Sequence, residues 1–422
     1  VGESCALPPS KIEAKMMEIN FHVLLFAGDI NVYSVARAFH DQYGIIPRVY
    51  GKYRSFPCAY SRIMNYMAVY DVDQPNTFQE LVKTYAQDFR DEPVIVMGCG
   101  DSYVQLIGDY KGSFPPNVVT PTIDGDLIRN LTHKEKFYLR CEEMGIPYPE
   151  TFIHRKELSG NFELPFQAPY ILKPSNGIMY WAHPFPLQKK VYKAETREEL
   201  NGILAMIYAS GYDDSIIIQD FIPGDDSYMH VLTNYSDRSG KVKMMCMGHV
   251  LLEEHTPHGI GNHAVIITER VPSVEKKLKD LLESIGYVGF SNFDIKYDQR
   301  DGIYKVFEIN TRQGRSNYYV TGSGENIATL VVDDYIYQQE LEYRSVANEH
   351  LWMVIPKGVA MKYIPYSEYR QTIKRLIREK KFSNPLKNKK DGGAKHLYYF
   401  IRNYYGHYMK YKKYLGKVQG NG

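Results

Sequence analysis

Glu308 and Asn310 stand two residues apart in the run Tyr304-Lys305-Val306-Phe307-Glu308-Ile309-Asn310, and Thr311-Arg312-Gln313-Gly314-Arg315-Ser316 follows at once. The run reads as a strand entering a glycine-bearing turn. Alternate residues of an extended chain share a face. The spacing therefore puts Tyr304, Val306, Glu308 and Asn310 on one side, and Lys305, Phe307 and Ile309 on the other. Two oxygen side chains about 6.5–7 Å apart along a strand suit a hard cation. Two guanidinium groups just beyond suit an anion gripped by a fork.

The element before this strand supplies a third oxygen. Gly289 to Asp298 reads as a strand, and Arg300-Asp301-Gly302 as the turn that joins the two into a hairpin. A hairpin centred on Asp301 sets Asp294 opposite Glu308. Asp294, Glu308 and Asn310 then form one patch of hard ligands, which magnesium prefers with phosphate and water completing its octahedron.

Further elements carry groups towards such a patch. Tyr170 to Pro174 is strand-like, and Lys173 closes its apolar run before the small turn Ser175-Asn176-Gly177. A lysine there is either a point charge for phosphate or a surface lysine lying along the strand. Ser215 to Gln219 is an apolar strand feeding Asp220-Phe221-Ile222-Pro223-Gly224-Asp225-Asp226. Phe221 and Ile222 can line a flat apolar slot. The backbone there can read a purine edge, and a following carboxylate can take ribose hydroxyls. Between a strand over 242–252 and a helix over 273–285 lies the loop 255–263, with His255, His258, His263, Gly259 and Gly261. Zinc favours tighter ligand pairs on ordered elements, so the loop reads as a lid over a site.

The N-terminal stretch alternates short apolar strands (21–26, 45–50, 94–97) with glycine turns and helical patterns. That is the signature of a parallel α/β layer. Ligands of such layers gather at the carboxyl ends of the strands, so Gly28, Asp29, Gly98, Gly100 and Asp101 are candidates for a shared cleft. Equally, the glycines can serve only the tight turns. Neither turn completes a Gly-x-Gly-x-x-Gly pattern, so no dinucleotide site is expected. Thr132-His133-Lys134 opens an amphipathic helix that stops at Gly145, with Pro147 and Pro149 beyond.

The 422 residues suffice for two or three domains. A net charge of +2 argues neither for nor against a nucleic-acid partner, none being expected, and the five cysteines (Cys5, Cys58, Cys99, Cys141, Cys246) are odd in number and scattered. Such spacing fits reduced thiols in a cytoplasm. The sequence shows neither a leader pattern nor an apolar run long enough to cross a bilayer.

Taken together, Lys134, Tyr-Ile-Leu-Lys173-Pro, Gln219-Asp-Phe-Ile-Pro-Gly-Asp-Asp226, Asp294 and Glu308-Ile-Asn310 resemble the ATP-grasp superfamily of carboxylate–amine ligases. The longer strings, from Gln219 to Ser227 and from Glu308 to Ser316, are most similar to D-aspartate ligases of Gram-positive cell-wall synthesis. The resemblance implies an α/β and α+β chain: an ATP-grasp fold preceded by a Rossmann-like parallel domain. It divides the chain into 19–126, 127–347 (two subdomains around ATP) and 348–422. It implies ATP and Mg2+ as cofactors, with Lys134, Lys173 and Ser175 at the phosphates. Gln219, Asp220, Phe221 and Ile222 would be at adenine, Asp226 at ribose, and Asp294, Glu308 and Asn310 at the metal. Arg312 and Arg315 would be catalytic and, with Ser316 and Gly261, hold substrate. The implied reaction activates D-aspartate as an acyl phosphate and joins it to a lysine amine of a UDP-linked muramoyl pentapeptide. Another amino acid or acceptor, or a nucleotide-binding scaffold without turnover, are the alternatives. One departure stands out: the glycine-rich phosphate loop of the superfamily is thin here, reduced to Ser175-Asn176-Gly177.

From Tyr366 on, the chain is basic and rich in the 37 tyrosines. Arg370, Lys374, Arg375, Arg378, Lys380 and Lys381 fit one helix. The favoured reading is a helical tail packing its Tyr, Leu and Ile face on the core. The other is attraction to an anionic precursor or to the inner face of the membrane.

Overall fold

The computed structural model describes residues 20–158, 162–257 and 259–416. Cys5, His258 and Lys417 lie outside the described residues. The chain begins with a five-stranded parallel sheet: β1 (His22–Phe26), β2 (Arg48–Gly51), β3 (Asn65–Ala68), β4 (Val94–Gly98) and β5 (Val118–Val119), in the order β3-β2-β1-β4-β5. The helices accompanying it are α1 (Ile30–Tyr43), α2 (Pro75–Asp88), α3 (Asp101–Tyr110) and α4 (Gly125–Thr132). Asp29 caps α1 by accepting from the Asn31 amide, and Gly44 closes it in the left-handed region at φ 71°, where a side chain would be strained. Gly98 has a packing reason: a Cβ there would stand 2.8 Å from the Val104 nitrogen of α3.

Helix α5 (Lys134–Glu143) leads into a four-stranded antiparallel sheet. Its elements are β6 (Thr151–His154), β7 (Tyr170–Pro174), α6 (Gly177–Ala182), β8 (Tyr192–Ala194), α7 (Arg197–Ala209) and β9 (Ile216–Asp220), with strand order β6-β9-β7-β8. The third sheet has eight strands. It is built from β10 (Met229–Ser236), β11 (Val242–Glu253), β12 (His263–Glu269), then, after α8 (Pro272–Ser284), β13 (Gly289–Asp298) and β14 (Ile303–Asn310). Short helices α9 (Tyr318–Gly322) and α10 (Ile327–Val331) precede β15 (Arg344–Ser345) and β16 (Leu351–Met353). Helices α11 (Lys357–Tyr363) and α12 (Ser367–Arg378), then β17 (Phe382–Ser383) and α13 (Ala394–Tyr414), complete the chain. The sheet runs β14-β13-β10-β11-β12-β16-β17, with β15 beside β11.

Three expectations change. The β13–β14 hairpin pairs Asp298 with Ile303 and Tyr297 with Tyr304, so it is centred just before Asp301. A bulge between Val306 and Glu308 then restores Asp294 opposite Glu308. The extra residue, Phe307, breaks the alternation: Val306 and Ile309 both enter the core, and Phe307 joins Glu308 on the cavity side. Next, α12 ends at Arg378, and Lys380 (φ 60°) and Lys381 lie in the turn beyond it. Finally, α13 buries His396, His407 and Tyr411, whereas Leu397, Tyr398, Ile401, Tyr405 and Tyr408 are exposed. The expected Tyr, Leu and Ile face therefore holds for α12, which buries Ile373 and Leu376 in the core, but not for α13. Cys58, Cys99, Cys141 and Cys246 are free and buried. No helix among the described residues is long and apolar enough to cross a membrane.

Candidate active site

A cavity of about 270 Å³ lies between the four-stranded and eight-stranded sheets. One wall carries Ile171 and Lys173 of β7, Gln219 and Asp220 of β9, and Phe221 and Ile222 after it; the other carries Met229, Asp294, Lys296, Phe307 and Glu308. Glu253, Ile260, Gly261 and His263 close one side, and Lys134, Lys190 and Val191 line the rest. Ile171, Val191, Phe221, Ile222, Met229 and Phe307 give the cavity an apolar part shaped by side chains from both walls. The charged groups gather beside it.

Glu308 is the hub of the charged part. Lys134 Nζ is 3.5 Å from its Oε2, and Lys190 Nζ is 3.4 Å from its Oε1. Lys190 above all, then Lys134 and Lys173, holds the Glu308 carboxyl below the usual carboxylate range against the effect of burial. Burial, then the Glu308 charge, pushes Asp294 up. Two carboxylates held this close call for a cation between them. Asn310 Nδ2 donates to Asp294 Oδ2 at 3.3 Å, and its Oδ1 accepts from Arg312 at 3.5 Å. Turning that amide would bring a third oxygen to the pair, so the three residues fit a hard divalent cation. Lys173 lies 4.5 Å over the Phe307 ring. Burial, opposed by Glu308, lowers its pKa to about 8.

Several groups act from behind the wall. Ser175 does not line the cavity. It is fully buried, its carbonyl accepts from the Lys134 amide at 3.1 Å, and its hydroxyl meets that of Ser215 at 2.8 Å. It thereby fixes the start of α5. Gln219 Nε2 donates to the Thr151 hydroxyl at 2.9 Å, and Arg300 Nη2 donates to Asp220 Oδ2 at 2.5 Å. Asp226 is not on the cavity wall either: its Oδ2 accepts from the Glu253 amide at 2.8 Å and meets His255 Nε2 at 2.8 Å. Lys296 Nζ donates to the carbonyls of Ile222 and Gly224, at 2.9 and 3.1 Å, and so holds the turn that carries Phe221.

The two arginines join the parallel sheet to this site. Arg312 grips Asp101 with two donors, at 2.7 and 3.1 Å. Arg315 Nη2 donates to Glu254 at 3.1 Å, and its Nη1 is buried with no hydrogen-bond partner among the described residues. At Asp29, desolvation raises the carboxyl, and the charges of Arg315 and Arg312 oppose it. The turn itself is locked in place: Asn31 Nδ2 donates to the carbonyls of Cys99 and Gln313, and Asn317 Nδ2 donates to Asn31 Oδ1. Ser316 is buried in that turn, whereas Gly261 is on the cavity wall. Of the cleft candidates, Asp101 meets Arg312 in the turn after β14, and Asp29 feels the charges of Arg315 and Arg312.

Sequence reasoning missed Lys190, Glu253 and Lys296. Glu253 ends β11, one residue beyond the strand read over 242–252, and burial, then Asp226, raises its carboxyl. His263 was placed in a lid but opens β12, and burial, then Arg315, lowers it to about 4. A charged residue closing an apolar strand was the available signal for Glu253; the residues around Lys190 carry none.

No protein-family model matches the sequence. The chain is 38% identical over 406 residues to the D-aspartate ligase of Enterococcus faecium (strain Aus0004), spanning 93% of this chain and 96% of that one. Among solved structures it resembles the L-amino acid ligase of Bacillus licheniformis, with a TM-score of 0.54, 15% identity and coverage of 77% of this chain and 76% of that one. It also resembles N5-carboxyaminoimidazole synthetase of Staphylococcus aureus complexed with ADP, with a TM-score of 0.57, 12% identity and coverage of 84% and 87%. Two walls of sheet around a charged cavity, in this fold, define an ATP-grasp ligase, an ADP-forming enzyme. Within that class the chain belongs to the D-aspartate ligase family.

Proposed function

We propose that the enzyme uses Mg-ATP to activate the β-carboxylate of D-aspartate and joins it to the lysine side-chain amine of a UDP-linked muramoyl pentapeptide. The observation that carries this reading is the Asp294–Glu308–Asn310 group with three lysines on the cavity wall, joined through Asn310 to Arg312 and followed by Arg315 in the same turn. This arrangement supports adjacent seats for phosphate, metal and substrate carboxylate. The relative's name supplies the amino acid.

ATP binding in the cavity would lay adenine in the apolar part, against Phe221 and Ile222. Lys134, Lys173 and Lys190 would neutralise phosphate oxygens. Asp294, Glu308 and Asn310 would hold magnesium, whose charge shields the phosphates when bound. Arg312 and Arg315 would orient the two carboxylates of aspartate. One carboxylate oxygen bonds to the γ-phosphorus as the bond to the bridging oxygen breaks and ADP leaves. The lysine nitrogen then bonds to the acyl carbon, phosphate departs, and the amine proton goes to it or to solvent. Attack of one anion on another is slow mainly for electrostatic reasons, so fixed positive charge and orientation supply most of the catalysis. The division at 126/127 and 347/348 belongs to the same proposal, with β16 and β17 of the last part extending the eight-stranded sheet.

The test is a panel of amino acids with purified protein, Mg-ATP and the lysine-bearing precursor. ADP release should require D-aspartate and the precursor together. Equal release with other amino acids, and none with D-aspartate, would overturn the assignment.

A further inference from the structure

On the eight-stranded sheet, outside the cavity, His230 of β10 faces His249 of β11 directly in register. Glu269 of β12, whose register partner is Met247, reaches the same spot diagonally. The two imidazoles stack with centroids 4.6 Å apart and planes 8° from parallel. Each ring has one nitrogen already committed. His230 Nδ1 lies 3.1 Å from the Tyr228 carbonyl, and His249 Nε2 lies 2.6 Å from the Ser227 carbonyl. A carbonyl only accepts, so these nitrogens carry the hydrogens. In neutral rings His230 Nε2 and His249 Nδ1 are then bare lone pairs. They stand 3.0 Å from Glu269 Oε1 and 3.5 Å from Glu269 Oε2.

Acceptor thus faces acceptor at both contacts, and a positive charge must lie between them. One proton on His230 would satisfy one contact and leave the His249 lone pair against a carboxylate oxygen. A second proton would set two imidazolium rings face to face. A single metal ion satisfies all three groups at once, provided the rings tilt out of their stack, 8° from parallel, so that both in-plane lone pairs converge on it. We propose that His230, His249 and Glu269 bind a transition-metal ion of the zinc type, with water in its fourth position.

The distances suit it. Metal bonds of about 2.0–2.1 Å in a tetrahedron place ligand atoms roughly 3.3–3.4 Å apart, and the two contacts bracket that span. Ligand atoms of all three residues lie within 4.8 Å of one another. A backbone carbonyl holding the far nitrogen of each ring is the usual way a metal-binding histidine is oriented. Tyr304 stands edge-on to His230 and Tyr369 to His249, centroids 5.0 and 5.2 Å away. Glu269 keeps 30% of its side chain exposed, which leaves an entry path. The ligands sit on ordered strands, unlike the histidine loop 255–263. Because both rings hold the Ser227 and Tyr228 carbonyls, the ion would stiffen the turn that follows Asp226, beside the nucleotide cavity.

The experiment uses the full-length protein, freed of metal by a chelator and kept in excess Mg2+ to occupy the Asp294–Glu308 site. Zn2+ is titrated calorimetrically, and Co2+ is followed by its visible absorption. The expected result is one ion per chain and the intense cobalt spectrum of a four-coordinate site. Glu269→Gln and His249→Gln should each weaken binding by about tenfold or more, and Glu308→Gln should not. Glu269→Gln preserves shape, and its metal-free unfolding midpoint near that of the wild type checks its fold. Uptake that Glu269→Gln leaves unchanged, or none in the wild type, overturns the proposal; the second outcome would assign the charge to a proton.

Discussion

Replacing Lys173 by Met should stabilise the protein while disabling it. The buried ammonium has its pKa lowered from 10.5 to about 8, chiefly by burial. That drop corresponds to about 3 kcal/mol of stability lost to keeping the charge in place. Methionine keeps the length and a contact with Phe307, and forgoes a cation–ring attraction of about 0.5–1 kcal/mol. A net gain of about 2 kcal/mol at pH 7 follows. The sign depends on pH. Below about 8 the lysine is charged both folded and unfolded, and the folded chain bears the full cost. Between about 8 and 10.5 the unfolded chain binds the extra proton, so wild-type stability rises with pH. Above 10.5 the cost is gone, and the variant's advantage should have vanished. Urea unfolding of both proteins at pH 7, 9 and 10.5 reads this directly, beside an ADP-release assay. A variant less stable than wild type at pH 7, or an advantage that does not shrink with pH, would refute the reasoning.

Three further outcomes are expected. Since a phosphate contact needs the charged form of Lys173, ATP affinity should weaken as pH rises through about 8, and calorimetry in buffers of different ionisation enthalpy should show proton uptake on binding there. Glu308→Gln removes the hub carboxylate and should cut Mg-dependent ADP release by on the order of a hundredfold or more, as steady-state kinetics would show. Arg315→Lys removes the unpartnered Nη1 fork and should lower kcat/KM for the amino acid by about tenfold to a hundredfold, with KM for ATP little changed.

The sequence carried the grouping of Asp294, Glu308 and Asn310, the proposed metal ligands, because they lie on two strands of one hairpin, where pairing follows from a local turn. Even there the Phe307 bulge was invisible: one added residue flips the faces of a strand yet leaves no mark in composition. Arg312 and Arg315 could be read only as candidate anion binders, and their carboxylate partners could not be read at all. Asp101 meets Arg312 through packing of the parallel-sheet region against the turn, and Glu254 meets Arg315 from the end of β11, both over long sequence separations. Lys190 was silent for the same reason, since its contact with Glu308 spans two sheets. The tail was legible in part: α12 buries Ile373 and Leu376 as its pattern implies, whereas in α13 burial falls on His396, His407 and Tyr411 and leaves Leu397 and Ile401 exposed.

The most direct test of the ligase reading follows oxygen. D-aspartate labelled with 18O in the β-carboxylate is turned over with Mg-ATP and the lysine-bearing precursor, and the released phosphate is analysed by mass spectrometry. Activation through the β-carboxylate predicts one labelled oxygen in the phosphate, and none when only the α-carboxylate carries the label. Label arriving from the α-carboxylate, or product formed with no transfer from either, would contradict it.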